Sequence, residues 1–167
     1  MILPVLQYPD PRLARVSMPI QEVTPEIREL AENMVETMYA REGIGLAAPQ
    51  VGVPIRLMVM DISGPERRED LRILVNPLLK RSGPEIDSEE GCLSITDYRS
   101  TVRRSGQVHV EATDLDGNPV SFEAEDLLAI CAQHECDHLD GILFIDHISR
   151  LKRGMFDRKI KKRANNG

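Results

Sequence analysis

Tryptophan is absent from this 167-residue chain, cysteine occurs three times and histidine four times. Positive charge is also in short supply. The 21 Lys and Arg stand against 27 Asp and Glu, a net charge of -6, which argues against wholesale nucleic-acid binding, since that shows as a basic domain. No run reaches the eighteen or so apolar residues of a membrane span. The opening stretch MILPVLQYPDPRLARV has no basic region leading into an apolar core, so neither export nor membrane attachment is expected and the predicted location is cytoplasmic. An odd number of cysteines (Cys92, Cys131, Cys136) without an export signal excludes a disulfide framework and leaves reduced thiols, available as ligands. Low-complexity tracts are missing too, and with 41% hydrophobic and 29% charged residues the composition is that of a folded globular protein.

What is present suits one domain spanning 1–167. The segment TPEIRELAENMVETMYAREG predicts a helix, with Thr24 as cap, Pro25 in the first turn and Gly43 as a left-handed end. Its apolar stripe is Ile27, Leu30, Ala31, Met34, Val35, Met38 and Tyr39. The apolar runs 57–62 and 73–79 read as strands joined by a loop, and VHVEATDLDGNPVSFEA alternates on both sides of Asp116-Gly117, a hairpin signal. AEDLLAICAQHECDHLDG then takes helical spacing, with Leu127, Ile130, Cys131, His134 and His138 on one face and Gly141 beyond the end. Central strands flanked by helices, without βαβ alternation, predict an α+β domain.

The segment QHECDH carries the chemistry. His134 and His138 stand one turn apart on one side of a helix, so both imidazoles can reach one ion. Glu135 projects about 100° further round, placed to handle a water rather than to ligate. A catalytic site needs a third protein ligand and an open position. The metzincin pattern fails because Phe144 stands where its last histidine belongs, and no glutamate follows Glu135 to complete a thermolysin-like set. Asp146 and His147 lie just past a turn, awkward to fold back. Cys131 shares the helix with both histidines, Cys136 points away from them, and Cys92, in EEGCLS, can approach from across the helix. Cys92 is therefore the expected third ligand.

Three segments together, GIGLAAPQ (43–50), EGCLS (90–94) and QHECDHLDG (133–141), resemble in order and separation the signature motifs of the peptide deformylases. The likeness runs over nearly the whole chain. It implies antiparallel sheets packed around a central HExxH helix, with an N-terminal and a C-terminal helix. It implies removal of the formyl group from the starting N-formylmethionine of new polypeptides. Cys92, His134 and His138 would bind one metal ion, natively ferrous iron (Fe2+), with nickel, cobalt or zinc (Ni2+, Co2+ or Zn2+) as substitutes. Glu135 would act as general base and then acid, and Gln50 with the backbone N–H of Leu93 would stabilise the developing oxyanion. Ile44, Gly45, Leu127, Ile130 and Cys131 would form the methionine site, and Arg99 resembles an arginine that contacts the peptide. Two residues depart from the pattern: Thr96 stands where proline is frequent, and Ser88 where an apolar pocket residue is common. Glu90 and Arg104 are a candidate pair for orienting the Cys92 loop.

From Arg150 to Arg163 eight basic residues face one acid, Asp157, reversing the overall sign of charge. This stretch reads as a helix with a thin seam of Leu151, Met155 and Ile160. The resemblance suggests docking at the ribosome by a monomeric enzyme, and a tail whose removal spares activity on a short peptide. Two other readings stay open on residues alone. HExxH by itself is compatible with an endopeptidase, and a fourth protein ligand would make a closed metal-binding module.

Overall fold

In the computed structural model, which describes residues 1–166, Thr24 caps the first long helix, α1 (Pro25–Ala40). Its side-chain oxygen accepts from the Ile27 N–H at 3.2 Å, meeting one of the donors a helix start leaves bare. All seven predicted stripe residues of α1 pack into one apolar cluster with Leu46, Leu57 and Val59. The left-handed residue after the helix is Glu42, at φ 57°, and not Gly43. Gly43 is needed for a different reason: a Cβ there would sit 2.9 Å from the Leu93 side chain.

The strands are β1 (Gly45–Ala47), β2 (Leu57–Met60), β3 (Arg72–Cys92), β4 (Ile95–Thr113) and β5 (Pro119–Glu125). They form one antiparallel sheet in sequence order. The single-turn helix α2 (Gly64–Arg67) lies in the predicted loop between β2 and β3. The expected strand at 73–79 is only the beginning of β3. Register shifts between Val75 and Leu78, between Ser82 and Glu85, and between Glu90 and Cys92 interrupt its pairing with β4, and such bulges bend a strand and re-aim its side chains. The predicted hairpin turns at Asp116-Gly117, with Thr113 opposite Pro119.

Helix α3 (Asp126–Leu139) lies against all five strands. Ala129, Ala132, Cys136 and Leu139 pack into the cluster formed with Met58, Met60, Val108 and Val110. Gln133 fastens the helix to β4, accepting from the Ser105 N–H at 3.1 Å and donating to the Ser105 carbonyl at 2.8 Å. Gly141 follows at φ 75°, where a Cβ would come within 2.5 Å of the Ala14 carbonyl oxygen.

The last helix, α4 (Arg150–Asn166), packs differently from its expected seam. Leu151 and Met155 are 73% and 57% exposed, whereas Phe156 is 3% exposed and Ile160 packs beside it. The Phe156 ring lies 4.5 Å from that of Tyr98 and 5.4 Å from that of Tyr8. The Tyr8 hydroxyl donates to Asp157 at 2.6 Å, and Arg153 reaches Asp157 and Asp146. Helix α4 therefore contributes Phe156 and Ile160 to a core cluster, where Phe156 is the ring partner of Tyr8 and Tyr98.

Candidate metal centre

With its core side on the sheet, α3 turns the flank carrying Ile130, Cys131, His134 and Glu135 toward a cavity of about 890 Å³. Leu127, expected on the same buried face, is 47% exposed at this cavity. Cys92 enters from the end of β3, immediately before the two-residue turn Leu93-Ser94 that starts β4. Its sulfur lies 3.3 Å from His138 Nε2. One donor atom each of Cys92, His134 and His138 falls within 4.8 Å of the others.

The remaining predicted ligand alternatives are occupied elsewhere. The Cys131 thiol faces the Ile44 carbonyl at 3.6 Å, and the Cys136 sulfur packs 3.8 Å from that of Met58. Asp146 accepts from the Leu143 N–H, and His147 bonds to Asp137 at 2.8 Å.

Several charges orient the histidines. His134 Nδ1 meets Glu90 at 2.9 Å, which leaves Nε2 free for a ligand. Arg104 donates to both oxygens of Glu90, at 2.9 and 2.8 Å, and to Asp137 at 2.6 Å. Burial would push Glu90 up, but the bonds from Arg104 and His134 outweigh it and bring the carboxyl down to about 2. Burial and the neighbouring His134 push His138 well below the usual imidazole range, favouring the neutral ring that a metal needs. For His134 burial acts in the same direction, yet Glu135, Cys92 and Glu90 overcome it and raise the ring. A soft sulfur donor and two imidazoles whose donor atoms converge fit a divalent metal ion.

Glu135 is buried and its Oε1 has no hydrogen-bond partner among the described residues. Burial pushes its carboxyl up to about 7. Gly45 lies directly against it, since a Cβ at that position would be 2.5 Å from Oε2. Gln50 is held at both ends. Its Oε1 accepts from the Ala47 N–H at 2.9 Å, and its Nε2 donates to Ser94 at 3.1 Å and lies 3.6 Å from the Cys92 sulfur. This fixes which end of the amide faces the cluster. Gln7 donates to the Leu93 carbonyl at 2.8 Å, and Thr96 donates to Gln7 in turn at 2.8 Å.

Ile44, Gly45, Gln50, Leu93, Leu127, Ile130, Cys131 and Arg99 all line the cavity. Arg99 stands at its rim, where it donates to the Glu89 carbonyl and pairs with the Glu89 side chain at 3.6 Å. Nothing in the sequence marks Asp137, Gln7 and Ser94 as orienting residues, and His147, weighed there only as a ligand, bonds instead to Asp137. Only Asp137 and Ser94 fall inside a motif, and the register of β3 on β4 brings Arg104 to Glu90 and Asp137.

Comparison with known proteins gives a concordant result. The family model described as polypeptide deformylase matches residues 2–154. The chain is 49% identical over 166 residues to the peptide deformylase of Rhodopseudomonas palustris (strain BisB5), covering 98% of this chain and 95% of that protein. A crystal structure of a peptide deformylase from Legionella pneumophila is 41% identical, with a TM-score of 0.91 over 99% of this chain and 96% of that one. The peptide deformylase from Ehrlichia chaffeensis in complex with actinonin is 37% identical, with a TM-score of 0.88 over 97% of both chains. The chain thus belongs to the polypeptide deformylase family, the metal-dependent hydrolases that remove the N-formyl group from nascent polypeptides.

Proposed function

We propose that Cys92, His134 and His138 hold one divalent ion, natively ferrous iron, and that Glu135 carries the proton during hydrolysis of the formyl amide. The observation that carries this reading is the convergence of the three donor atoms beside a buried carboxylate with a free oxygen. Nickel, cobalt or zinc fit the same donors. When bound, the ion supplies Lewis-acid polarisation and makes water acidic near neutral pH.

Glu135, with its carboxyl near 7, takes the proton of the attacking water and returns it to the leaving nitrogen as the C–N bond breaks. The products are formate and a free amino terminus. Negative charge builds on the formyl oxygen, where the Gln50 side-chain N–H and the Leu93 backbone N–H donate. Loss of one such donor costs about 3 kcal/mol of the barrier. The Ala47 and Ser94 bonds hold the Gln50 amide in its donating orientation before substrate arrives. Ile44, Leu127, Ile130 and Cys131 receive the methionine side chain, Gly45 keeps the wall open beside Glu135, and Arg99 contacts the peptide beyond it.

The test is formate release from N-formyl-Met-Ala-Ser by protein loaded anaerobically with ferrous iron, with an acetylated peptide as control. Glu135→Gln is expected to lose at least about a hundredfold in kcat while retaining one metal ion per chain. Turnover close to wild type in that variant would sink the assignment.

Residues 1–167 act as one domain in this reading, as a cytoplasmic monomer that docks at the ribosome through α4. The exposed Arg158, Lys159, Lys161 and Lys162 supply the charge, and phosphate contacts make such binding salt-dependent. Replacing these four by Gln is expected to weaken co-sedimentation with ribosomes and flatten its salt dependence, with tripeptide turnover unchanged. Undiminished co-sedimentation would remove the docking role.

A further inference from the structure

On β3, Ser88 and Glu90 are buried while Asp87 and Glu89 between and beside them are exposed, the alternation of a strand with one covered face. Glu90 reaches His134 of α3, so this face of β3 looks onto the cavity side of the helix. Ser88, two residues earlier, lines the same cavity as Ile130 and Cys131. It is 7% exposed, and among the described residues no protein group hydrogen-bonds its hydroxyl. Its hydroxyl is not shut away from the cavity that the residue lines, so it is free to bond a group placed there, and the thioether of methionine is only a weak acceptor.

We infer that Ser88 is a specificity-determining residue that extends the substrate range to N-formyl peptides whose first side chain carries a strong hydrogen-bond acceptor. Methionine sulfoxide is the form of an initiator methionine that meets this description. The inference rests on the deformylase reading of the cavity given above. The Ser88 hydroxyl donates to the sulfoxide oxygen, and Ile44 and Ile130 keep their contacts with the side-chain carbons. The reaction itself does not change: water adds to the formyl carbon, the C–N bond breaks, formate departs, the amine takes the proton, and the sulfoxide leaves unaltered.

The experiment compares kcat/KM for N-formyl-Met-Ala-Ser and its methionine sulfoxide counterpart, using iron-loaded full-length wild type, Ser88→Ala and Ser88→Thr. The sulfoxide-to-methionine ratio is expected to fall about tenfold in Ser88→Ala and to stay within about twofold in Ser88→Thr, which keeps the hydroxyl. A purely structural role would depress both substrates together and leave the ratio fixed. An unchanged ratio in Ser88→Ala, with the formylmethionine peptide still turned over, overturns the inference and spares the site reading. Release of formate from neither peptide by the wild type overturns both.

Discussion

Gly45 and Glu135 are in contact across the cavity wall, and the smallness of one defines the position of the other. A single added methyl would overlap three atoms of the carboxylate side chain, at 2.5 to 2.9 Å. Gly45→Ala is therefore expected to displace Glu135 and lower kcat on the order of a hundredfold, while far-ultraviolet circular dichroism and metal content stay as in wild type. A variant with normal kcat would show that Glu135 tolerates the shift. At this scale the sequence was readable where spacing alone suffices: i and i+4 histidines must share a helix face, and Glu135 must lie off it. The partners of those residues were not readable. Asp137 and His147 join the cluster through Arg104, a β4 residue whose position depends on bulges in β3. The reason for Gly45 was equally hidden, since it concerns a side chain ninety residues away.

Among the elements, α1, α3 and the β4–β5 hairpin follow from periodicity and turn chemistry because each carries one covered face with a regular repeat. Strand β3 does not. Gly83 and Pro84 and a run of exposed polar residues from Lys80 to Glu85 break any alternation, and pairing with β4 keeps the strand extended despite them. Helix α4 misleads in another way. Its composition points to Leu151, Met155 and Ile160 as the apolar seam, but packing selects Phe156 and Ile160, one turn apart, because Tyr8 and Tyr98 offer rings at that place. Phe156→Ala is expected to cost about 3–5 kcal/mol in urea unfolding. The exposed Leu151→Ala and Met155→Ala should stay within about 0.5 kcal/mol of wild type. Equal losses for all three would mean that α4 is seated on a different face.

Across the whole molecule, three apolar clusters meet at the candidate centre: Ile44 belongs to the cluster under α3, Leu93 to that under α1, and Cys92 to that closed by α4. The charged network is laid into this junction, which ties overall stability to pH. Burial raises both Glu90 and Asp137, but Arg104 outweighs it for both, with His134 at one and His147 at the other, so both carboxyls are more acidic than usual. For Glu90 this brings the ordinary value of 4.5 down to about 2. The unfolded chain then takes up protons first, so this stabilisation is complete above about pH 4.5 and fades as pH falls toward about 2. Glu135 has the opposite sign. Raised by burial to about 7, it withdraws stability from the metal-free protein as pH climbs from 4.5 through 7. Urea midpoints of metal-free protein are expected to drop steeply below pH 4.5, with a flatter slope in Glu90→Gln; identical slopes would remove Glu90 from the account. The contact between Tyr8 and Asp157 has a bearing on how the protein is made. Its two halves are 149 residues apart, and a chain emerges from synthesis with its amino end first. An enzyme that trims other unfinished chains cannot seal its own aromatic core, or seat the helix that closes it, until the residues around Asp157 have been added, 149 positions after Tyr8.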